Sequence, residues 1–210
     1  MNIGIIGAGF VGRAIAKLAI GQGHRVMLSN SRGPQTLFSL RAMIGCETGT
    51  AEDAARFGDI VVIAVPLSAL GSLPVAYLKG KWIFDAVNYY PERDGKVAAL
   101  EGRQTTTSEL LASYLPEAKI IKAFNAIPMT DLESDGLPAG ALDRRALPLA
   151  GDEEEGKRLA ASLYDAFGFD TVDAGPLSEG WRFERGMPAY CVPLTKEALQ
   201  VALMAAKRDE

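Results

Sequence analysis

Six residues near the start of the chain, Gly7-Ala8-Gly9-Phe10-Val11-Gly12, place three glycines at the spacing GxGxxG. That spacing suits main-chain binding of a pyrophosphate. Gly7 allows a tight turn, Gly9 has no side chain to keep a phosphate off the backbone, and Gly12 lets a helix approach a strand closely. The helix N-terminus near Phe10 then offers unpaired N–H groups and the positive end of a dipole. The motif sits in the context this chemistry requires. Residues 2–7 read as a strand, 10–22 as an amphipathic helix and 25–29 as a second strand.

The second strand should end beside a ribose. A carboxylate there accepts from both ribose hydroxyls and favours NAD. This chain instead has Ser29-Asn30-Ser31-Arg32-Gly33. Nothing in that stretch repels a 2′-phosphate. Ser31 can donate a hydrogen bond to it and Arg32 a charge-assisted one, and Asn30 beside them is taken as a further cofactor-binding residue. The expected dinucleotide is therefore NADPH; the competing reading makes Arg32 a solvated surface charge.

Three further apolar runs end in Ala64-Val65-Pro66, Ala86-Val87-Asn88 and Phe124-Asn125-Ala126. In a parallel sheet these ends share the edge where ligands bind. Small residues there admit a flat ring. Asn88 and Asn125 are candidates to hydrogen-bond a carboxamide or ribose, or else are turn residues bonding their own backbone. An acid–base set is not evident, and no catalytic side chain is assigned. The single histidine, His24, enters the second strand at the far end of the sheet and is read as structural. Lys122, Tyr89 and Tyr90 remain as proton donors. Hydride transfer to a flavin-like ring needs little protein acid–base help, so this chemistry gains weight. The stretch from Gly180 to Tyr190 concentrates aromatics and arginines. It is either the wall of a pocket for a planar acceptor or ordinary core and subunit contact.

Positioning these ends requires alternating strands and helices. Strands are expected at 2–7, 25–29, 46–49, 59–65, 81–86, 119–124, 146–150 and 169–173, several as continuous apolar runs that suit parallel strands covered on both faces. Helices are expected at about 10–22, 34–44, 51–57, 67–78, 107–115, 152–167 and 193–208. For the sixth helix, Asp152 is a cap and Gly168 a terminator. Residues 128–145 read as a surface loop. The last helix carries Leu194, Ala198, Leu199, Val201, Ala202 and Ala205 on an apolar face, for packing on the body or across a homodimer. The fold class is α/β: a doubly wound, mostly parallel Rossmann sheet with helices on both faces and a short C-terminal helical extension. It is read as one NAD(P)-binding domain over 1–210, with a core to about 175 and the extension over 176–210.

Composition narrows the partners. The chain has 210 residues, 48% of them hydrophobic, and a net charge of −4. It therefore lacks the basic field of a nucleic-acid binder, and no apolar run approaches a membrane span. The chain opens directly on a strand, with no signal peptide, which gives an expectation of the cytoplasm. Cys46 and Cys191 show no CxxC or zinc spacing, so two reduced thiols and no metal site are expected.

The chain resembles the NADP oxidoreductases dependent on coenzyme F420, a deazaflavin, and the cytosolic part of STEAP-type metalloreductases. The resemblance rests on Ile3-Gly4-Ile5-Ile6-Gly7-Ala8-Gly9, Ser29-Asn30-Ser31-Arg32-Gly33-Pro34, Ala64-Val65-Pro66, Lys122-Ala123-Phe124-Asn125 and Val172-Asp173-Ala174-Gly175. It implies a Rossmann domain with a small C-terminal addition, and NADPH with its 2′-phosphate held by Ser31 and Arg32. It also implies direct hydride transfer to a flavin or deazaflavin co-substrate. Two alternatives stay open: reduction of a small carbonyl or imine with Tyr89, Tyr90 or Lys122 as donor, and a non-catalytic NADP(H) sensor.

Overall fold

A computed structural model of the chain describes residues 1–208. Its first half runs β1 (Asn2–Ile6), α1 (Phe10–Gly21), β2 (Arg25–Ser29), α2 (Phe38–Ile44), β3 (Glu47–Gly49), α3 (Ala51–Phe57), β4 (Ile60–Ile63), α4 (Val75–Leu78) and β5 (Trp82–Asp85). There follow α5 (Pro91–Asp94), α6 (Ala98–Glu101), α7 (Thr107–Tyr114), β6 (Lys119–Lys122), α8 (Met129–Ser134), β7 (Ala146–Gly151), α9 (Glu154–Ala166), β8 (Asp170–Asp173) and α10 (Lys196–Ala205).

The eight strands form one sheet in the order β3-β2-β1-β4-β5-β6-β7-β8. The first six are parallel, and β7 pairs antiparallel with β6 through Ile121–Gly151 and Lys122–Ala150. The order 3-2-1-4-5-6 reverses direction between β1 and β4, which opens a crevice at their C-terminal ends. β1 and β4 are continuous apolar runs because both of their faces are covered. One core layer packs α1 and α9 on the sheet around Ile5, Phe84 and Tyr164. The other packs α3 and α7 around Val61, Ile83 and Leu111.

All eight expected strands are present, within a residue or two at their ends. The helices differ more. The segment expected at 67–78 is a 3-10 helix over Leu67–Ser72 followed by the single turn of α4, because Pro74 lies between them and lacks an N–H to continue the first. The expected loop at 128–145 contains α8, whose buried Leu132 joins the core beside α1. Asp152 does not cap α9: the N-cap is Glu153, and Asp152 accepts instead from the Leu177 N–H at 3.0 Å, tethering the chain beyond β8. Gly168, with φ +95, does follow the end of that helix. On α10 the buried face is Leu199 and Leu203, whereas Val201 and Ala205, expected inside, are exposed. Both cysteines are free thiols. His24 lies at the start of β2, with Nδ1 3.4 Å from the chain's amino group. Among the described residues, no helix is long and apolar enough to cross a membrane.

Candidate dinucleotide site

The crevice between β1 and β4 opens into a cavity of about 940 Å³. Gly7, Ala8 and Gly9 border it on one side, Asn30, Ser31 and Arg32 on a second, and Ala64, Val65 and Pro66 on a third. Nine of the expected site residues thus share one space. The glycines divide the work. Gly7 has φ +118, and a Cβ there would collide with the Ala64 carbonyl, so the turn and the closeness of β1 to β4 both require it. A Cβ on Gly12 would collide with the Gly7 carbonyl, so this glycine seats α1 against the loop. A Cβ on Gly9 would meet no described atom within 4 Å. That open space beside the N-terminus of a 12-residue helix leaves room for an anion at the positive end of the helix dipole. Phe10 and Val11 lie on the first turn of α1 outside the cavity lining, and Phe10 is exposed.

At the end of β2, the Asn30 carboxamide organises the turn. Its Oδ1 accepts from the Arg32 N–H at 3.0 Å, and its Nδ2 donates to Thr36 Oγ1 at 2.9 Å. Ser31 and Arg32 are exposed at the rim. The fit to a phosphorylated dinucleotide is good: an open glycine cradle lies on one side, and a hydroxyl with a guanidinium on the other. Among the lining residues that local sequence reasoning missed, two are charged. Arg13, one turn into α1, and Glu52, at the start of α3, both line the cavity. The position of Arg13 just after Gly12 was a readable signal. Glu52 was not readable, because β3 and α3 bring it there from a distant part of the chain.

The ends of β5 and β6 behave differently. Val87, Asn125 and Ala126 are buried and do not line the cavity; Asn88 is half-buried. Asn88 Nδ2 donates to the Asn125 carbonyl at 2.9 Å. Asn125 Nδ2 donates to Asn88 Oδ1 at 3.2 Å and to the Phe183 carbonyl at 3.0 Å, while its Oδ1 finds no partner among the described residues. Both amides therefore bind chain far away in sequence rather than their own turns, and Asn125 staples the extension to the sheet. Phe124, just before Asn125, has φ +65, rare for a non-glycine residue. Its N–H donates to Tyr164 Oη at 2.8 Å, and its ring meets the Tyr164 ring edge-on at 4.7 Å, which holds the turn.

Beneath these turns lies a buried charge network. Lys122 Nζ donates to Thr107 Oγ1 at 2.7 Å and Ser108 Oγ at 3.1 Å, and lies 3.8 Å from Asp85 and 3.5 Å from Glu184. Asp85 accepts from Ser108 and from the Val87 N–H. Burial pushes the Asp85 carboxyl above the usual carboxylate range, against the pull of Lys122. Glu184 accepts from the Thr107 N–H at 2.9 Å, placing its charge at the N-terminus of α7. Lys122 has no exposed surface, so this proton-donor candidate is sealed away. Tyr89 Oη is engaged with Glu101, the Gly95 carbonyl and the Val97 N–H. Tyr90 Oη is bonded to Tyr190 Oη.

The segment 180–190 divides between core and a cavity wall. Phe183 and Ala189 are core, while Trp181, Arg185 and Met187 face a second cavity of about 450 Å³ together with Tyr89.

A parallel sheet in this strand order, with a glycine loop at its switch point, defines a Rossmann dinucleotide-binding protein. Residues 2–89 match the family described as NADP oxidoreductase, coenzyme F420-dependent. Over 200 residues the chain is 31% identical to the metalloreductase STEAP3 of Rattus norvegicus, covering 91% of this chain and 38% of that protein. A solved structure of the hypothetical protein SMa0349 of Sinorhizobium meliloti is 30% identical, with a TM-score of 0.80 over 93% of this chain and 95% of that one. A candidate F420-dependent NADP reductase from Arthrobacter sp. FB24 is 24% identical, with a TM-score of 0.70 over 84% and 85% of the two chains, and shares the fold. The family match lies on the part of the chain that carries the glycine loop and the end of β2, and the similarity to STEAP3 runs through nearly the whole chain. It spans less than two thirds of the length of the curated relatives it matches.

Proposed function

We propose that the chain binds NADPH in the larger cavity and uses it to reduce a flavin- or deazaflavin-like ring. The observation that carries the reading is the contrast between the open phosphate cradle and the committed side chains at the other strand ends. Gly9 leaves room for the pyrophosphate, and Ser31 with Arg32 suits a 2′-phosphate. When bound, the nicotinamide supplies a hydride, and a ring acceptor needs no donated proton from a positioned side chain. The protein's part is to hold the dinucleotide extended from the Ser31–Arg32 rim across Gly9 toward Ala64-Val65-Pro66. There the small side chains leave a face open for a second planar group.

One observation keeps a carbonyl or imine substrate in view. Tyr90 is half-buried, with the guanidinium of Arg93 4.8 Å and that of Arg185 5.0 Å from its ring centroid, and its hydroxyl is bonded to Tyr190. The Tyr90 hydroxyl is the proton donor this reading would use.

The test is loss of nicotinamide absorbance when purified protein and NADPH meet FMN, FAD, riboflavin or the deazaflavin. Turnover with one of these, and little with NADH, is the expected result. Binding of NADPH without turnover of any ring would overturn the acceptor. If a carbonyl panel then turned over and Tyr90→Phe abolished it, the carbonyl reading would replace this one. No turnover at all would leave a sensor.

A further inference from the structure

We infer that Arg13 is a pyrophosphate-binding residue, a third contact beside the glycine loop and the Ser31–Arg32 rim. The inference rests on the NADPH reading and extends it. Arg13 follows Gly12 directly, and its N–H donates to the Gly9 carbonyl at 3.0 Å, so its backbone belongs to the first turn of α1. Its side chain folds back over the loop: Nε donates to the Ala8 carbonyl at 2.8 Å. This bond fixes the plane of the guanidinium. Its two Nη groups make no hydrogen bond or ion pair with the described residues. The half-buried side chain lines the same cavity as Gly9.

A fixed, partly desolvated guanidinium with four N–H donors to spare is built to receive oxyanions. Its anchor chooses between the two phosphates of the dinucleotide. The Ala8 carbonyl is part of the glycine loop, so the donors sit with the pyrophosphate cradle. The 2′-phosphate belongs to the end of β2, at Ser31 and Arg32. Arg13 and Arg32 should therefore act on different phosphates and discriminate differently between dinucleotides.

Equilibrium binding of NADPH and of NADH to Arg13→Ala, followed by quenching of intrinsic fluorescence, tests the assignment. Both dinucleotides carry the pyrophosphate, so both should weaken by a similar factor, on the order of tenfold. The salt dependence of NADPH binding should also become shallower, because one cationic contact is gone. Arg13→Gln, which keeps a donor for the Ala8 carbonyl, guards against a folding defect and should show the same paired loss at an unchanged melting temperature. Loss of NADPH binding alone would move Arg13 to the 2′-phosphate and overturn the inference. Unchanged affinity for both would overturn it too. If the wild-type chain bound neither dinucleotide, the NADPH reading itself would fail, a result distinct from either.

Discussion

The two halves of the sheet's C-terminal edge are built on opposite principles. At β1, β2 and β4 the chain withholds side chains: Gly9 leaves the loop uncovered, and Ser31, Arg32 and Arg13 project into or around unfilled space. At β5 and β6 the chain supplies side chains and binds them to one another: Asp85, Lys122, Ser108, Thr107 and Glu184 are mutually satisfied, and the Asn88–Asn125 pair closes over them. The first half leaves its polar groups facing an open cavity, and the second pairs them with its own chain. Sequence motifs alone did not separate these cases, since Asn125 and Arg32 both looked like ligand contacts.

The comparison can be broken most directly at Lys122. Lys122→Met leaves Asp85 buried with its cationic partner gone, and should cost about 3–5 kcal/mol of stability, read as a lower urea midpoint. Adding Asp85→Asn should recover part of the loss. If Lys122→Met instead left stability intact and abolished NADPH binding, the self-bound half would be a ligand site. At the open half, Arg32→Ala should weaken NADPH binding by about 1.5–3 kcal/mol while sparing NADH. Equal losses for both would remove the assigned 2′-phosphate contact. The glycines sharpen the division within a single loop. Gly12→Ala should destabilise the fold by about 1–3 kcal/mol because its Cβ meets main chain, whereas Gly9→Ala should leave the melting temperature alone and cut NADPH affinity. The smallest effect belongs to Glu52. As the carboxylate that α3 brings to the cavity wall, its conversion to Gln should tighten NADPH binding by a few tenths of a kcal/mol, and less at high salt.

Much of the frame was legible. Eight strands and the glycine loop could be read because apolar continuity and turn glycines are local signals. The short helices were not. A turn such as α8 exists because Leu132 finds the core beside α1, and α5 because Asp94 accepts the Tyr90 N–H at 3.0 Å. The face of α10 was misjudged for a related reason. Its sequence offers apolar residues on several sides, and only packing against β7 and β8 selects Leu199 and Leu203.

By itself, the sequence determined the strand pattern, the parallel sheet, the glycine loop and the residues at the end of β2. Each of these depends on residues close together in the chain, whose backbone preferences act locally. Only the tertiary structure decided that Lys122 is sealed from solvent, that Asn125 staples the extension, and that Arg13 and Glu52 border the cavity. Those outcomes turn on which polar groups meet across long stretches of chain. A buried donor or charge takes whatever partner the packing brings to it, and local sequence does not specify that partner.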